Sequence, residues 1–249
     1  MLRKLSSLSI VLPCHNEAES VARVVADAFL HGSEYASALE VVVVDDGSTD
    51  GTCAQVGSLQ QVYRSLRLMR HSRQRGYGAA LQTGFRACNH DYVFYTDGDG
   101  QFDVRELQRL VALIDRYDIV SGYRLIRQDS WLRRFNGRVW SWLSGSVLGF
   151  SLRDVNCAFK LFPRVLFDRI DMRSRGAAID SEILYKAMKE GFTIGQVGVS
   201  HFGRRTGTQS GARPGVIALA LFELLRLGTV KTRSWSSDPA QPGPSRQNS

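Results

Sequence analysis

Asp97, Asp99 and Asp103 place three carboxylates within seven residues, in the stretch DYVFYTDGDGQFD (91–103). They follow an apolar run, Tyr92 to Tyr95, and alternate with Gly98 and Gly100, residues that do not stabilise a strand. Acids this close repel one another unless something positive joins them. A calcium loop of the EF-hand type also uses alternate positions, but it needs Gly at the sixth place and Glu at the twelfth. Counted from Asp97, those places hold Phe102 and Gln108, so the pattern fails. A Mg²⁺ or Mn²⁺ site uses only one or two carboxylates and keeps coordination positions open for substrate phosphates. The stretch reads as such a site or as a solvated acidic turn.

Its place in the fold favours the cation. SLSIVLP (7–13) is a strand that runs into the polar PCHNE (13–17), and LEVVVVDDGSTDGT (39–52) turns from valines to turn formers at Asp45 and Asp46. Between them, residues 17–30 put Val21, Val24, Val25, Ala28 and Phe29 at helical spacing. LRLMR (66–70), DYVFYTD and YDIVSGY (117–123) read as further strands, and YGAALQTGFRAC (77–88) as a helix. Asp103 and Glu106 have the spacing of a capping pair for a helix through Ile114. Further on, AAIDSEILYKAMKEGF (177–192) reads as a helix entered at Asp180 or Ser181, and FTIGQVGVSHF (192–202) as a strand. The pattern implies an α/β fold with a mainly parallel central sheet flanked by helices. Ligands of such sheets bind beyond the carboxyl ends of the strands. The clusters at 13–17, 45–51 and 97–103 converge there.

The 249 residues suit one domain over 1–230, in two halves, 1–122 and 123–230. The tail 231–249, rich in Pro, Ser and Gln, reads as disordered. Four widely spaced cysteines without a CxxC pair suggest reduced thiols and a cytoplasmic setting, and the N-terminal apolar run is too short and polar for a signal peptide. A formal charge of +8 suits an acidic partner. Nucleic acid is the poorer choice, because the acidic cluster would repel a phosphate backbone.

Taken in order, SIVLPCHNEAESV, VVVVDDGSTDGT, RGYGAALQTGF and YTDGDGQFD resemble the family 2 glycosyltransferases of the GT-A, nucleotide-diphospho-sugar transferase-like fold. Within that family the chain is most similar to the dolichyl- or polyprenyl-phosphate sugar transferases, with VSGYR (120–124), RDVNCAFKLF (153–162) and IDSEILYKAMKEGF (179–192) extending the likeness over about residues 7–210. The resemblance implies a metal-dependent, inverting hexosyltransferase that moves a sugar from a GDP- or UDP-sugar to a lipid phosphate by one in-line displacement. Pro13, Asn16 and Glu17 would line the nucleotide pocket. Asp45 and Asp46 would accept from a base N–H or a ribose hydroxyl, or simply form an Asx turn. Arg75 and Gly76 belong to a basic-Gly-x-Gly element whose glycines would let the backbone approach the donor. Asp97, Gly98 and Asp99 correspond to the DXD motif, with Asp97 on ribose or metal and Asp99 and Gln101 on the Mg²⁺ or Mn²⁺ that bridges the diphosphate.

Arg124, Arg133, Arg134 and Arg204 are candidates for an acceptor phosphate, since guanidinium forks match phosphate oxygens; the alternative is a solvated basic face. Asp154 would pair with one of these arginines, and His201 would be structural. An anionic phosphate attacks without a base, whereas a glycan hydroxyl needs one, and Asp180 and Glu182 are the candidates. Capping and dipole compensation are their other reading. A soluble or cell-envelope glycan as acceptor is the second functional reading. The helix at 216–230 is short for a bilayer crossing. It and the Trp- and Arg-rich 131–142 suit peripheral contact with the inner face of a membrane, or packing on the domain or a second subunit.

Overall fold

The computed structural model describes residues 4–125 and 152–203, together with Gly145, Glu223, Arg226 and Leu227. One seven-stranded sheet has the order β3-β2-β1-β4-β6-β5-β7. Its strands are β1 (Leu5–Cys14), β2 (Ala36–Asp45), β3 (Leu66–Arg70), β4 (Tyr92–Thr96), β5 (Ile119–Arg124), β6 (Phe159–Pro163) and β7 (Ile194–Val199). The described helices are α1 (Val21–Tyr35), α2 (Thr52–Leu59), α3 (Tyr77–Ala87), α4 (Leu107–Val111), α5 (Leu166–Arg169) and α6 (Ile179–Lys189). Every pairing is parallel except those of β6, which runs antiparallel to both β4 and β5.

The unbroken apolar runs follow from helices on both faces. Ile10, Val11 and Leu12 are fully buried, as are Val41 to Val44. Adjacent residues of a strand point to opposite faces. A side chain at Gly32 of α1 would strike Ile10, and one at Gly84 of α3 would strike Val11, so these two helices cover opposite sides of β1.

The structure shifts several expected boundaries. The first helix starts at Val21 rather than 17, because Asn16 takes a left-handed φ of 57° and Glu17 N donates to Thr52 Oγ1 (2.8 Å). That loop is braced against the next one before any helix can begin. Asp103 does cap, accepting from Arg105 N (3.0 Å), but over a 3₁₀ turn (Val104–Glu106) that leads into the short α4. Glu106 reaches away from it to Ser200 N and Oγ. α6 begins at Ile179, with Ala178 at the N-cap position, so Asp180 does not cap it. α2 and β6 were not foreseen. The helix expected at 216–230, the 131–142 segment and the tail lie essentially outside the described residues.

A buried carboxylate staples the sheet away from the polar loops. Glu40 of β2 accepts from Ser9 Oγ of β1 (2.6 Å), Asn89 N (2.7 Å) and Arg67 Nη1 of β3 (3.1 Å). Burial alone would raise its pKa, but the hydrogen bonds from Ser9, Asn89 and Arg67 outweigh it and hold the group below its ordinary value of 4.5. A depressed folded value means a contribution complete above the unfolded value and lost as pH falls through the folded one. Glu40→Gln should therefore lose about 1–3 kcal/mol at neutral pH. The gap between wild-type and variant melting temperatures should narrow as pH falls below the ordinary glutamate range. A gap independent of pH would refute the ionic part of this account.

Candidate active site

Cys14, Asp45 and Thr96 end three neighbouring strands at the same edge, and the acidic turn 97–100 follows the last of them. Three contacts fix that turn. Gly98 N donates to Pro13 O (3.3 Å), Ser20 Oγ donates to Gly98 O (2.9 Å), and Gln101 N donates to Asp99 Oδ1 (3.0 Å). A Cβ at Gly98 would lie 2.3 Å from Cys14 Sγ, so only glycine fits between the two acids. On the far side, Phe202 N donates to Gln101 O (2.8 Å) and Gln101 Nε2 donates to Phe202 O (2.9 Å). His201 bridges Phe102 and packs edge-on against its ring.

The turn concentrates negative charge in a buried place. Burial pushes Asp97 up to about 8, with repulsion from Asp99 and Asp180 adding to it; the Tyr77 hydroxyl, donating to Asp97 Oδ1 at 3.1 Å, and Arg124 pull the other way. A cation would relieve that repulsion. The donor set fits a hard one, being all oxygen: Asp97, Asp99 and the carbonyl of Gln101, whose amide nitrogen is fixed on Phe202 O. Among the described residues no group of three or more His, Cys, Asp or Glu side chains could hold a metal by itself.

The nucleotide-side candidates gather beside this turn. Asn16 N donates to Ser48 Oγ and Asn16 Oδ1 accepts from Thr49 N, both at 2.9 Å, which joins the loops after β1 and β2. Glu17 Oε2 lies 3.2 Å from Ser20 Oγ, as a second, longer acceptor for the proton that Ser20 directs to Gly98 O. Asp45 is buried: its Oδ1 accepts from Ser48 N (3.0 Å), while Oδ2 has no hydrogen-bond partner and lies 3.8 Å from Arg70 Nε. That oxygen fits the expected role toward a base or ribose. Asp46 is engaged within the chain. Its carboxylate accepts from His71 Nδ1 (2.6 Å), Arg75 N (2.9 Å) and Gly76 N (2.9 Å), so it holds the 75–76 loop in place.

The glycines of RGYG also serve a different end from the expected approach to the donor. Side chains at Gly76 and Gly78 would lie 2.7 Å from Arg175 O and 2.5 Å from Ser174 O, and Gly78 N donates to Arg175 O (2.8 Å). The close approach is to the loop 174–176.

On the acceptor side the expected roles change most. Arg124 gives its fork to Asp154, with Nε at 2.7 Å from Oδ2 and Nη2 at 2.9 Å from Oδ1, so the anticipated Arg–Asp154 pair forms and takes the donors assigned to a phosphate. Arg133, Arg134 and Arg204 lie outside the described residues. Asp180 accepts from the buried Lys160 (2.7 Å) and from the Tyr95 hydroxyl. Glu182 is fully buried and accepts from Arg173 N (3.0 Å), Ser174 N (2.6 Å) and Lys186 Nζ. It therefore clamps the loop on which Gly76 and Gly78 rest. Neither carboxylate caps its helix through its side chain, and both are engaged in buried networks. Tyr77, Lys160 and Ser20 were not singled out beforehand, although Tyr77 stands within RGYG and Lys160 within an otherwise apolar CAFKLF.

The chain is similar to proteins of known family and fold. Residues 9–174 match the family model described as Glycosyl transferase family 2. The chain is 28% identical over 220 residues to dolichyl-phosphate beta-glucosyltransferase of Saccharomyces cerevisiae, covering 78% of this chain and 66% of that one. It is 31% identical over 171 residues to undecaprenyl-phosphate 4-deoxy-4-formamido-L-arabinose transferase of Enterobacter sp. (strain 638), covering 66% and 51%. It thus spans between half and two thirds of the length of these relatives. Among solved structures, glucosyl-3-phosphoglycerate synthase from Mycobacterium tuberculosis, in complex with Mn²⁺, uridine diphosphate and phosphoglyceric acid, superposes with a TM-score of 0.70 at 18% identity, over 91% of this chain and 80% of that one. That likeness identifies the fold as GT-A.

Proposed function

We propose, from the premise that this chain belongs to glycosyl transferase family 2, that it moves a sugar from a GDP- or UDP-sugar to a polyprenyl phosphate. The observation that carries the choice of acceptor is the engagement of Asp180 and Glu182. A hydroxyl nucleophile must lose a proton to a positioned base, and the two carboxylates best placed by sequence are bound to Lys160, Tyr95, Lys186 and two backbone amides. A phosphate oxygen is already anionic. It would attack the anomeric carbon as the bond to the leaving diphosphate breaks, with inversion.

Asp97, Asp99 and Gln101 would hold Mg²⁺ or Mn²⁺, which when bound stabilises the charge developing on the leaving diphosphate. Asp45 Oδ2 would receive a base or ribose donor, and Pro13, Asn16, Glu17, Arg75 and Gly76 would shape the pocket around it. The neighbour's Mn²⁺ and uridine diphosphate, and the lipid phosphates in the names of both relatives, support this assignment. Arg133, Arg134 and Arg204 are proposed to hold the acceptor phosphate, with Arg124 orienting Asp154 rather than gripping phosphate directly. No described helix is long and apolar enough to cross a membrane, and peripheral contact with the inner face through 131–142 and 216–230 is proposed to bring the carrier within reach.

The test is a panel of nucleotide sugars with a polyprenyl phosphate and with hydroxyl-bearing glycans as acceptors. Product should form on the phosphate. At saturating Mn²⁺, Glu182→Gln and Asp180→Asn that still melt cooperatively should each keep kcat within about tenfold. Loss of a general base would cost roughly 10²–10⁴-fold instead, and such a loss with unchanged donor binding would overturn the phosphate acceptor.

A further inference from the structure

His71 follows β3 directly and extends its pairing, with His71 N donating to Asp45 O (2.9 Å). It is buried although it stands at the polar edge of the sheet. Its ring lies between two partners. Nδ1 is 2.6 Å from Asp46 Oδ1, and Nε2 is 2.9 Å from Thr83 Oγ1 on α3. An ionised carboxylate only accepts, so Nδ1 carries the hydrogen and donates it. Nε2 is satisfied in either state of the ring. When neutral it accepts from the Thr83 hydroxyl; when charged it donates to that oxygen, while Thr83 donates to Ala79 O (3.0 Å).

The pair holds a loop that has few other ties. Among the described residues, the backbone amides of 72–76 that make a hydrogen bond are those of Arg75 and Gly76, each 2.9 Å from Asp46. The path they follow is exacting. Gly76 takes a φ of 103°, and a Cβ on Gly47 would lie 2.4 Å from Arg73 C. With Gly78 N bound to Arg175 O as well, this loop offers a ligand side chains rather than those three amides, and Arg75 is exposed. An aspartate alone could turn about its side-chain torsions. The imidazole, itself fixed on α3 by Thr83, removes that freedom and aims both carboxylate oxygens at adjacent N–H groups. A staple between strands would add little here, because β2 and β3 already pair as far as Asp45 and Arg70. The new effect falls on the loop.

We infer that His71 is a positioning residue for the nucleotide sugar, acting through Asp46 to fix the backbone of Arg75 and Gly76 at the donor pocket. The inference rests on the proposed donor role of that loop. Preorganising a loop raises affinity by removing the cost of ordering it on binding.

The experiment measures Kd for uridine and guanosine diphosphate by calorimetry, in the full chain with Mn²⁺, and KM for each substrate of the transfer reaction. An asparagine amide can take the place of Nδ1 and a glutamine amide that of Nε2, so His71→Asn keeps the donor to Asp46 whereas His71→Gln keeps only the link to Thr83. His71→Gln should weaken the diphosphate and raise the donor KM about tenfold or more, the order of effect of losing a hydrogen bond to a charged group. The acceptor KM should not move, and His71→Asn should restore donor binding to within about threefold of wild type. A purely structural histidine predicts something else: both variants melt lower, and the folded protein binds diphosphate as wild type does. That result would overturn the inference, as would equal losses in the two variants. If His71→Gln does not fold, Thr83→Val decides, because it frees the ring without touching Asp46. A diphosphate Kd raised about threefold or more, as for one neutral hydrogen bond, supports the inference, and an unchanged one overturns it. A wild type that binds neither diphosphate would remove the donor reading itself, whereas one that binds, beside a His71→Gln that binds equally, removes only the role of His71.

Discussion

Replacing Asp99 with asparagine should cut sugar transfer by roughly 10²–10³-fold while leaving the melting temperature in EDTA nearly unchanged. The large effect follows from where charge develops: a departing diphosphate gains negative charge, and loss of one preorganised electrostatic contact there typically costs roughly 10²–10³-fold. The small structural effect follows from the turn's contacts. Gln101 N donates to Asp99 Oδ1, and an asparagine carbonyl oxygen can accept the same bond. Asn also retains the size of Asp, so Gly98 and Cys14 are not disturbed. Binding can be read apart from turnover. A ligand at a hundred times its Kd stabilises the folded state by about 2.7 kcal/mol, and in wild type that shift should shrink when EDTA replaces Mn²⁺. In Asp99→Asn the two conditions should give the same small shift. Full metal-dependent stabilisation in the variant would place the cation elsewhere.

Gly98→Ala should be nearly as damaging for a steric reason. The new methyl would lie 2.3 Å from Cys14 Sγ and 3.2 Å from Pro13 O, and the sulfur is buried at the end of β1 with little room to move. The turn must then lift away from β1, separating Asp97 and Asp99 from the loop that carries Asn16 and Glu17. Overpacking of this kind costs about 1–3 kcal/mol in stability, and the loss in transfer should exceed what that figure alone implies, at roughly 10²-fold, since misplacement of about 1 Å is that costly. Trimming the obstacle gives the decisive control. Cys14→Ala in the Gly98→Ala background should recover most of the lost activity, because it removes the atom in conflict. No recovery would mean that the damage comes from backbone stiffening rather than the clash.

The sequence made the edge of the site legible and its underside opaque. Pro13, Asn16, Asp45, Asp97 and Asp99 follow apolar runs that could only be strands, so their convergence could be read from patterning and the parallel-sheet rule. β6 could not be foreseen in the same way. Phe159–Pro163 is a short strand that returns to a sheet already under way, and nothing local in CAFKLF says which strands it will separate. Lys160 was hidden for the same reason, because its neighbours in space are Tyr95 and Asp180, far off along the chain. Asp46 and Glu182 stayed ambiguous because an acid beside a substrate loop and an acid bracing that loop have the same sequence signature. Only the backbone amides of Arg75, Gly76, Arg173 and Ser174 distinguish them.

β6 also sets a timetable for synthesis. It lies between β4 and β5 although it is made after both. As the chain leaves the ribosome, β1 to β4 can assemble as a parallel layer, but the outer edge of β4, with Val93, Phe94 and Tyr95, stays open until residues 159–163 appear. At roughly 5–20 residues per second that interval lasts several seconds, during which an apolar strand edge can pair with another nascent chain. Chains that stop before β6 should accordingly be retained by chaperones or aggregate, however complete their run of donor-side loops.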